Sequence, residues 1–125
     1  MARILMIGID PDEVDYSDPA LPPGLNADKI RAGIDLSLDR LKADGHTASL
    51  MYVSTDPASL DALARRLASD AVECVTIGGG VTRPPRNSEL FEAVLNIIAG
   101  MNPSPRIALV VGPENAPAAV DRVMR

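Results

Sequence analysis

Two hydrophobic patterns alternate along the chain. Ile4-Leu5-Met6-Ile7-Gly8-Ile9 is an unbroken apolar run, as expected of a parallel strand covered on both faces, and it stops at Asp10-Pro11. From about Ala27 to Asp44, Ile30, Ile34, Leu38 and Leu41 form one stripe at helical spacing, with Asn26 placed to cap it and Gly45 at the C-cap. Thr47 to Val53 reads as a second strand, weaker because polar residues interrupt it. Asp56-Pro57 starts the next helix, with an acceptor at the N-cap and proline at the first helical position. Leu60, Leu63, Ala64 and Leu67 supply its buried face to about Ser69. A third strand runs from about Val72 to Ile77, and Asn87 or Ser88 caps a helix to about Gly100. Met101 to Pro105 turns back, Arg106 to Val111 is the fourth strand, and Asn115 to Met124 is the closing helix.

This is βα four times over, with no internal repeat and no linker, and it predicts a single α/β domain over residues 1–125. All eleven prolines fall in a loop or a first helical turn under this reading. Right-handed crossovers then give a three-layer, doubly wound parallel sheet of order 2-1-3-4, a small flavodoxin-like (Rossmann-like) arrangement. The helix of residues 89–101 is broader than a surface stripe: Leu90, Phe91, Val94, Leu95, Ile97, Ile98 and Met101 face more than one side. In so short a chain this predicts a homodimer through that helix.

Composition narrows the function classes. A 46% hydrophobic and 23% charged chain of 125 residues can bury a substantial core. A net charge of −5 and a pI near 4.7 argue against a duplex-binding surface, and 2% aromatic residues leave no stacking platform for single strands. Nucleic acid is therefore not an expected partner. The one cysteine, Cys74, excludes an intramolecular disulfide and a cysteine-based zinc site. No apolar run approaches the roughly 20 residues that span a bilayer, and the first residues enter a strand without a signal-peptide layout. The expectation is a cytoplasmic protein with no membrane contact.

The candidate chemistry lies at the carboxyl rim of the sheet, where the segment after strand one faces the segment after strand three. Gly78-Gly79-Gly80-Val81 followed by Arg83 and Arg86 offers close backbone approach, N–H donors and two cationic forks for a carboxylate or phosphate. The same residues also serve a plain tight turn with solvated arginines. The string is neither a phosphate-binding loop ending in Gly-Lys-Ser/Thr nor the dinucleotide Gly-x-Gly-x-x-Gly fingerprint. Asp10 to Leu25 carries Pro11, Pro19, Pro22, Pro23 and Gly24, so it reads as an irregular covering loop. Its Asp10, Asp12, Glu13, Asp15 and Asp18 could hold Mg²⁺, form a solvated turn, or pair with Arg83 and Arg86; no metal site is assigned. Tyr16 could close over a ligand. His46 lies on the opposite rim and Cys74 in a buried strand, so no Ser–His or Cys–His pair forms at the cleft. Acid–base work there would fall to Asp10 or Asp12.

Asp10 and Asp12 stand as the paired acids of a response-regulator receiver do. Gly78 occupies the phosphoacceptor position, however, and the late lysine is missing. A flavodoxin binds the flavin phosphate through a hydroxyl-rich first loop, whereas this loop is acidic and flanking aromatics are absent, which argues against flavin; no cofactor is assigned. Asp10-Pro11, Asp15-Tyr16-Ser17-Asp18-Pro19-Ala20-Leu21-Pro22-Pro23-Gly24, Ile77 to Pro85, and Leu90 to Asn96 together resemble a family of small bacterial flavodoxin-like α/β proteins with no assigned activity. The resemblance spans nearly the whole chain and implies that the Asp15–Gly24 loop and the glycine–arginine loop belong to one site. The expected function is binding of a small anionic metabolite at that rim. The alternative is a non-catalytic interaction module acting as a homodimer. Whether the chain is an enzyme does not follow from these residues.

Overall fold

The computed structural model describes all 125 residues. Four strands, β1 (Arg3–Gly8), β2 (Thr47–Tyr52), β3 (Cys74–Ile77) and β4 (Arg106–Leu109), form one all-parallel sheet of order β2-β1-β3-β4. Five helices accompany them: α1 (Ala27–Ala43), α2 (Pro57–Ser69), the one-turn α3 (Gly79–Thr82), α4 (Ser88–Ala99) and α5 (Ala116–Met124). The architecture is the three-layer flavodoxin-like fold that the alternating pattern predicts.

The caps read from sequence form as hydrogen bonds. The Asn26 side chain accepts from the Lys29 N–H at 2.9 Å and the Asp56 side chain from the Ala58 N–H at 3.0 Å. Gly45 adopts a φ of +92°, which a Cβ would strain. The strands are shorter than their apolar runs. Val72 and Glu73 lie before β3, and Val110 and Val111 lie beyond β4, although Glu73 N–H still donates to Arg3 O and Val110 N–H still donates to Ile77 O at 3.0 Å.

Strand pleating divides the interior into two cores. Ile4, Met6, Cys74 and Ala108 face α1 and α5, where they meet Ile34, Leu41, Ala116 and Val120. Leu5, Ile7, Val75 and Ile77 face α2 and α4, where they meet Leu63, Leu67, Leu90, Val94 and Ile98. The broad apolar face of α4 is met largely inside the chain. Phe91, Leu95 and Ile97, with Met101 just beyond the helix, pack against this second core and remain half-buried.

On the first side, α1 and the turn Pro113–Asn115 approach very closely. A Cβ on Gly33 would lie 2.6 Å from Pro113 Cγ, and the fully buried Ser37 hydroxyl donates to Pro113 O at 2.6 Å. Gly33 and Ser37 thus fix the segment after β4 against the helix after β1. That contact sets the width of the rim described next.

Candidate functional site

The glycine–arginine stretch is less loop-like than its composition predicts. Gly78 caps the single turn α3, and Pro85–Asn87 forms a second, 3₁₀ turn before α4. Two of the N–H groups expected to face a ligand are used internally. Gly78 N–H donates to Ile7 O at 2.9 Å, and Val81 N–H closes the turn onto Gly78 O at 3.0 Å. The Val81 side chain, 1% exposed, belongs to the second core. The turn is helical because an apolar residue three positions past Gly78 must reach that core. Gly79 and Gly80 N–H groups take no part in the turn and loop hydrogen bonds. Asn87 does not cap α4 with its side chain; its Nδ2 donates to Gly80 O at 2.7 Å and fastens α3 to the start of α4.

The two arginines have different surroundings. Arg86 Nη1 bonds Asp15 Oδ2 at 2.8 Å, and its Nε lies 3.7 Å from Asp18 Oδ2. Arg86 therefore latches the covering loop instead of standing free for a ligand. It borders a polar hollow with Glu13, Ser54 and Thr55. Arg83 forms no ion pair and no side-chain hydrogen bond. Its stem folds back over α3, and a Cβ on Gly79 would lie 3.5 Å from Arg83 Cδ. Gly79 thus leaves room for the cation to lie across the turn.

The acidic loop is divided between two cations. Asp10 caps a 3₁₀ turn over Pro11–Glu13 by accepting from Asp12 N–H at 3.0 Å, and Arg31 Nη2 holds Asp12 at 2.7 Å and lies 4.0 Å from Asp10. Sequence reasoning did not single out Arg31. It stands one turn into α1, and only the packing of α1 beside β1 brings it to this loop. The hydrogen bond that Arg31 donates to Asp12 raises the Arg31 pKa further. Ser17, through its hydroxyl, and then Arg86 hold the Asp15 carboxyl at about 2. The Tyr16 hydroxyl donates to Pro11 O at 2.6 Å, and burial raises its pKa. Tyr16 fastens the loop to itself. No group of three or more His, Cys, Asp or Glu side chains converges as a cation site needs.

Beneath this loop lies a cavity of about 120 Å³ with almost wholly apolar walls. Met6 and Leu50 from the strands, Ile30 and Ile34 from α1, and Val110 line it. Val14, Leu21, Pro22 and Leu25 from the covering loop roof it. Its exposed lining residues, which mark the mouth, are Pro22, Arg83 and Val111, beside Gly79 and Gly80. One polar side chain lies deep within it. Thr76 is 1% exposed and brings a hydroxyl to otherwise aliphatic walls. Of the expected site residues, Gly78, Gly79, Gly80 and Arg83 line this cavity; Val81, Arg86, Tyr16, Asp10 and Asp12 do not. The roof residues and Thr76 were not anticipated. Their signal was faint: apolar residues inside a proline-rich loop, and one hydroxyl in an otherwise aliphatic strand.

His46 and Cys74 lie where the sequence reading places them. His46 lies at the amino edge of the sheet, where Nδ1 accepts from Ala2 N–H at 3.0 Å. Burial pushes the Cys74 thiol up to about 11, so it is an unreactive core group. No helix is long and apolar enough to cross a membrane. Comparison with protein-family models and with curated proteins finds no match.

Proposed function

We propose that the carboxyl rim binds a small anionic metabolite, with Arg83 as its counter-charge. The observation that carries this reading is the contrast between the two arginines: Arg86 is neutralised by Asp15 and Asp18, whereas Arg83 lies unpaired at the mouth of an apolar cleft. A guanidinium at such a mouth offers a fork to a carboxylate or phosphate. The uncommitted N–H groups of Gly79 and Gly80 beside it add donors. The 10–25 loop is the cover, held down by Arg86 and Arg31. Asp10 and Asp12, engaged by Arg31, serve the cover in this reading instead of proton transfer.

The test is a thermal-shift screen against phosphate, sulfate and carboxylates, with Arg83→Ala and Arg86→Ala as separate controls. A ligand at about a hundred times its dissociation constant adds roughly 2.7 kcal/mol, or several degrees for a domain of this size. Arg83→Ala should abolish the shift while leaving the unliganded melting point almost unchanged, since the side chain has no partner to lose. Arg86→Ala should retain most of the shift. A panel in which no anion moves the melting point removes the reading.

A further inference from the structure

We infer that the ligand of this rim is a short aliphatic monocarboxylate bearing one uncharged oxygen, a hydroxy or oxo acid with a chain of about four to six carbons. The inference rests on Arg83 as counter-charge and adds what the cavity behind it demands.

A site built for phosphate or a sugar phosphate would line its interior with donors. This one offers Met6, Leu50, Ile34 and Val110, so whatever enters past Arg83 must be apolar over most of its surface. Size sets the chain length. A cavity of roughly 150 Å³ with aliphatic walls stays dry and accepts benzene; a volume of about 120 Å³ therefore takes a tail of about four or five carbons. Charge sets the head group. The mouth presents one unpaired cation, and Asp10, Asp12, Asp15 and Asp18 of the cover are already held by Arg31 and Arg86, which suits a single negative charge. Thr76 sets the remaining atom. Its hydroxyl is the one polar side-chain group deep in the cavity, on a residue that is 1% exposed. An oxygen on the ligand chain would hydrogen-bond to it there, whereas an all-carbon chain would desolvate it. Thr76 lies two residues before Gly78 on β3, about 7 Å inward at strand rise, so that oxygen sits on the chain and not on the head group.

Isothermal titration of the purified protein with acetate, phosphate, hexanol, hexanoate, 2-hydroxyhexanoate and 3-hydroxyhexanoate tests this directly. Each buried methylene should gain about fourfold in affinity, so hexanoate, with four more methylenes, should bind about two-hundredfold more tightly than acetate. At least one hydroxy acid should bind about tenfold more tightly than hexanoate, and Thr76→Val, which keeps the side-chain shape, should remove that preference while hexanoate binding is kept. Arg83→Ala should reduce hexanoate to the level of hexanol. Phosphate or acetate binding as tightly as hexanoate would overturn the apolar-acid inference and leave the anion reading intact. Hexanol matching hexanoate would remove Arg83 as counter-charge and with it both readings. If no six-carbon acid binds, the cavity is not a ligand chamber and the inference fails. If the hydroxy acids gain nothing over hexanoate, or Thr76→Val keeps their gain, the assigned oxygen is wrong.

Discussion

The two faces of the sheet are built from the same strands yet end differently at the carboxyl rim. On the α2/α4 side, Ile77 and Val53 are followed by Val81, which the one turn of α3 drives into the core as a plug. On the α1/α5 side no residue plays that part. Thr76 and Val110 are the last inward positions there, and beyond them the wall continues as glycine, with the 10–25 loop as roof. The same short turn closes one face and leaves the other open. It also points one arginine to each side of the cover: Arg86 to a polar hollow and a latch, Arg83 to the cavity. The cavity here therefore arises from asymmetric packing, with one core filled to its end and one not.

Matched truncations sharpen that contrast most. Ile98→Ala empties a position that is 0% exposed in the closed core, and Ile34→Ala removes the same atoms from the cavity wall, where Ile34 is 9% exposed. Large-to-small changes of this kind cost about 2–5 kcal/mol, depending on how many contacts are lost. Ile98→Ala should lie near the upper end and Ile34→Ala near the lower, read as denaturant midpoints. Equal losses would mean that the two faces are packed alike and the cavity is absent in solution.

Glycine substitutions probe the same walls with a smaller effect. Gly33→Ala forces its Cβ to 2.6 Å from Pro113 Cγ, so α1 and the Pro113 turn must separate, at a cost of about 1–3 kcal/mol. Gly80→Ala meets nothing within 4 Å in a helical turn, and should stabilise by about 0.4–1 kcal/mol. A destabilised Gly80→Ala variant would show that α3 is not helical in solution.

The smallest effect is in the latch. Asp15 titrates near 2 in the folded chain against an ordinary 3.8, held down first by the Ser17 hydroxyl and then by Arg86, so the folded loop and its latch are favoured above pH 3.8. That contribution is lost as pH falls through about 2. A carbon-detected NMR titration should find the Asp15 carboxylate still ionised at pH 3, and in Arg86→Ala its midpoint should move upward. An unshifted midpoint in the intact protein would mean that the cover is open.

Much of the framework was legible in the chain because its determinants are local. The run Ile4–Ile9, the stripe Ile30–Leu41 and the Asn26 and Asp56 caps each depend on neighbours within a turn or two. The order 2-1-3-4 follows once βα units are joined by right-handed crossovers. The rim at Gly78–Arg86 was legible as a location for the same reason. Tertiary structure alone decided which groups at that rim are free. Arg86 and Asp15 are 71 residues apart, and Arg31 reaches Asp12 only because α1 lies beside β1. Nothing in the spacing of two arginines says which one finds a carboxylate. The cavity, likewise, is a volume that several segments jointly fail to fill, and Thr76 matters because that volume lies against it. Sequence periodicity records what each segment buries; the space left between segments exists only after they have packed.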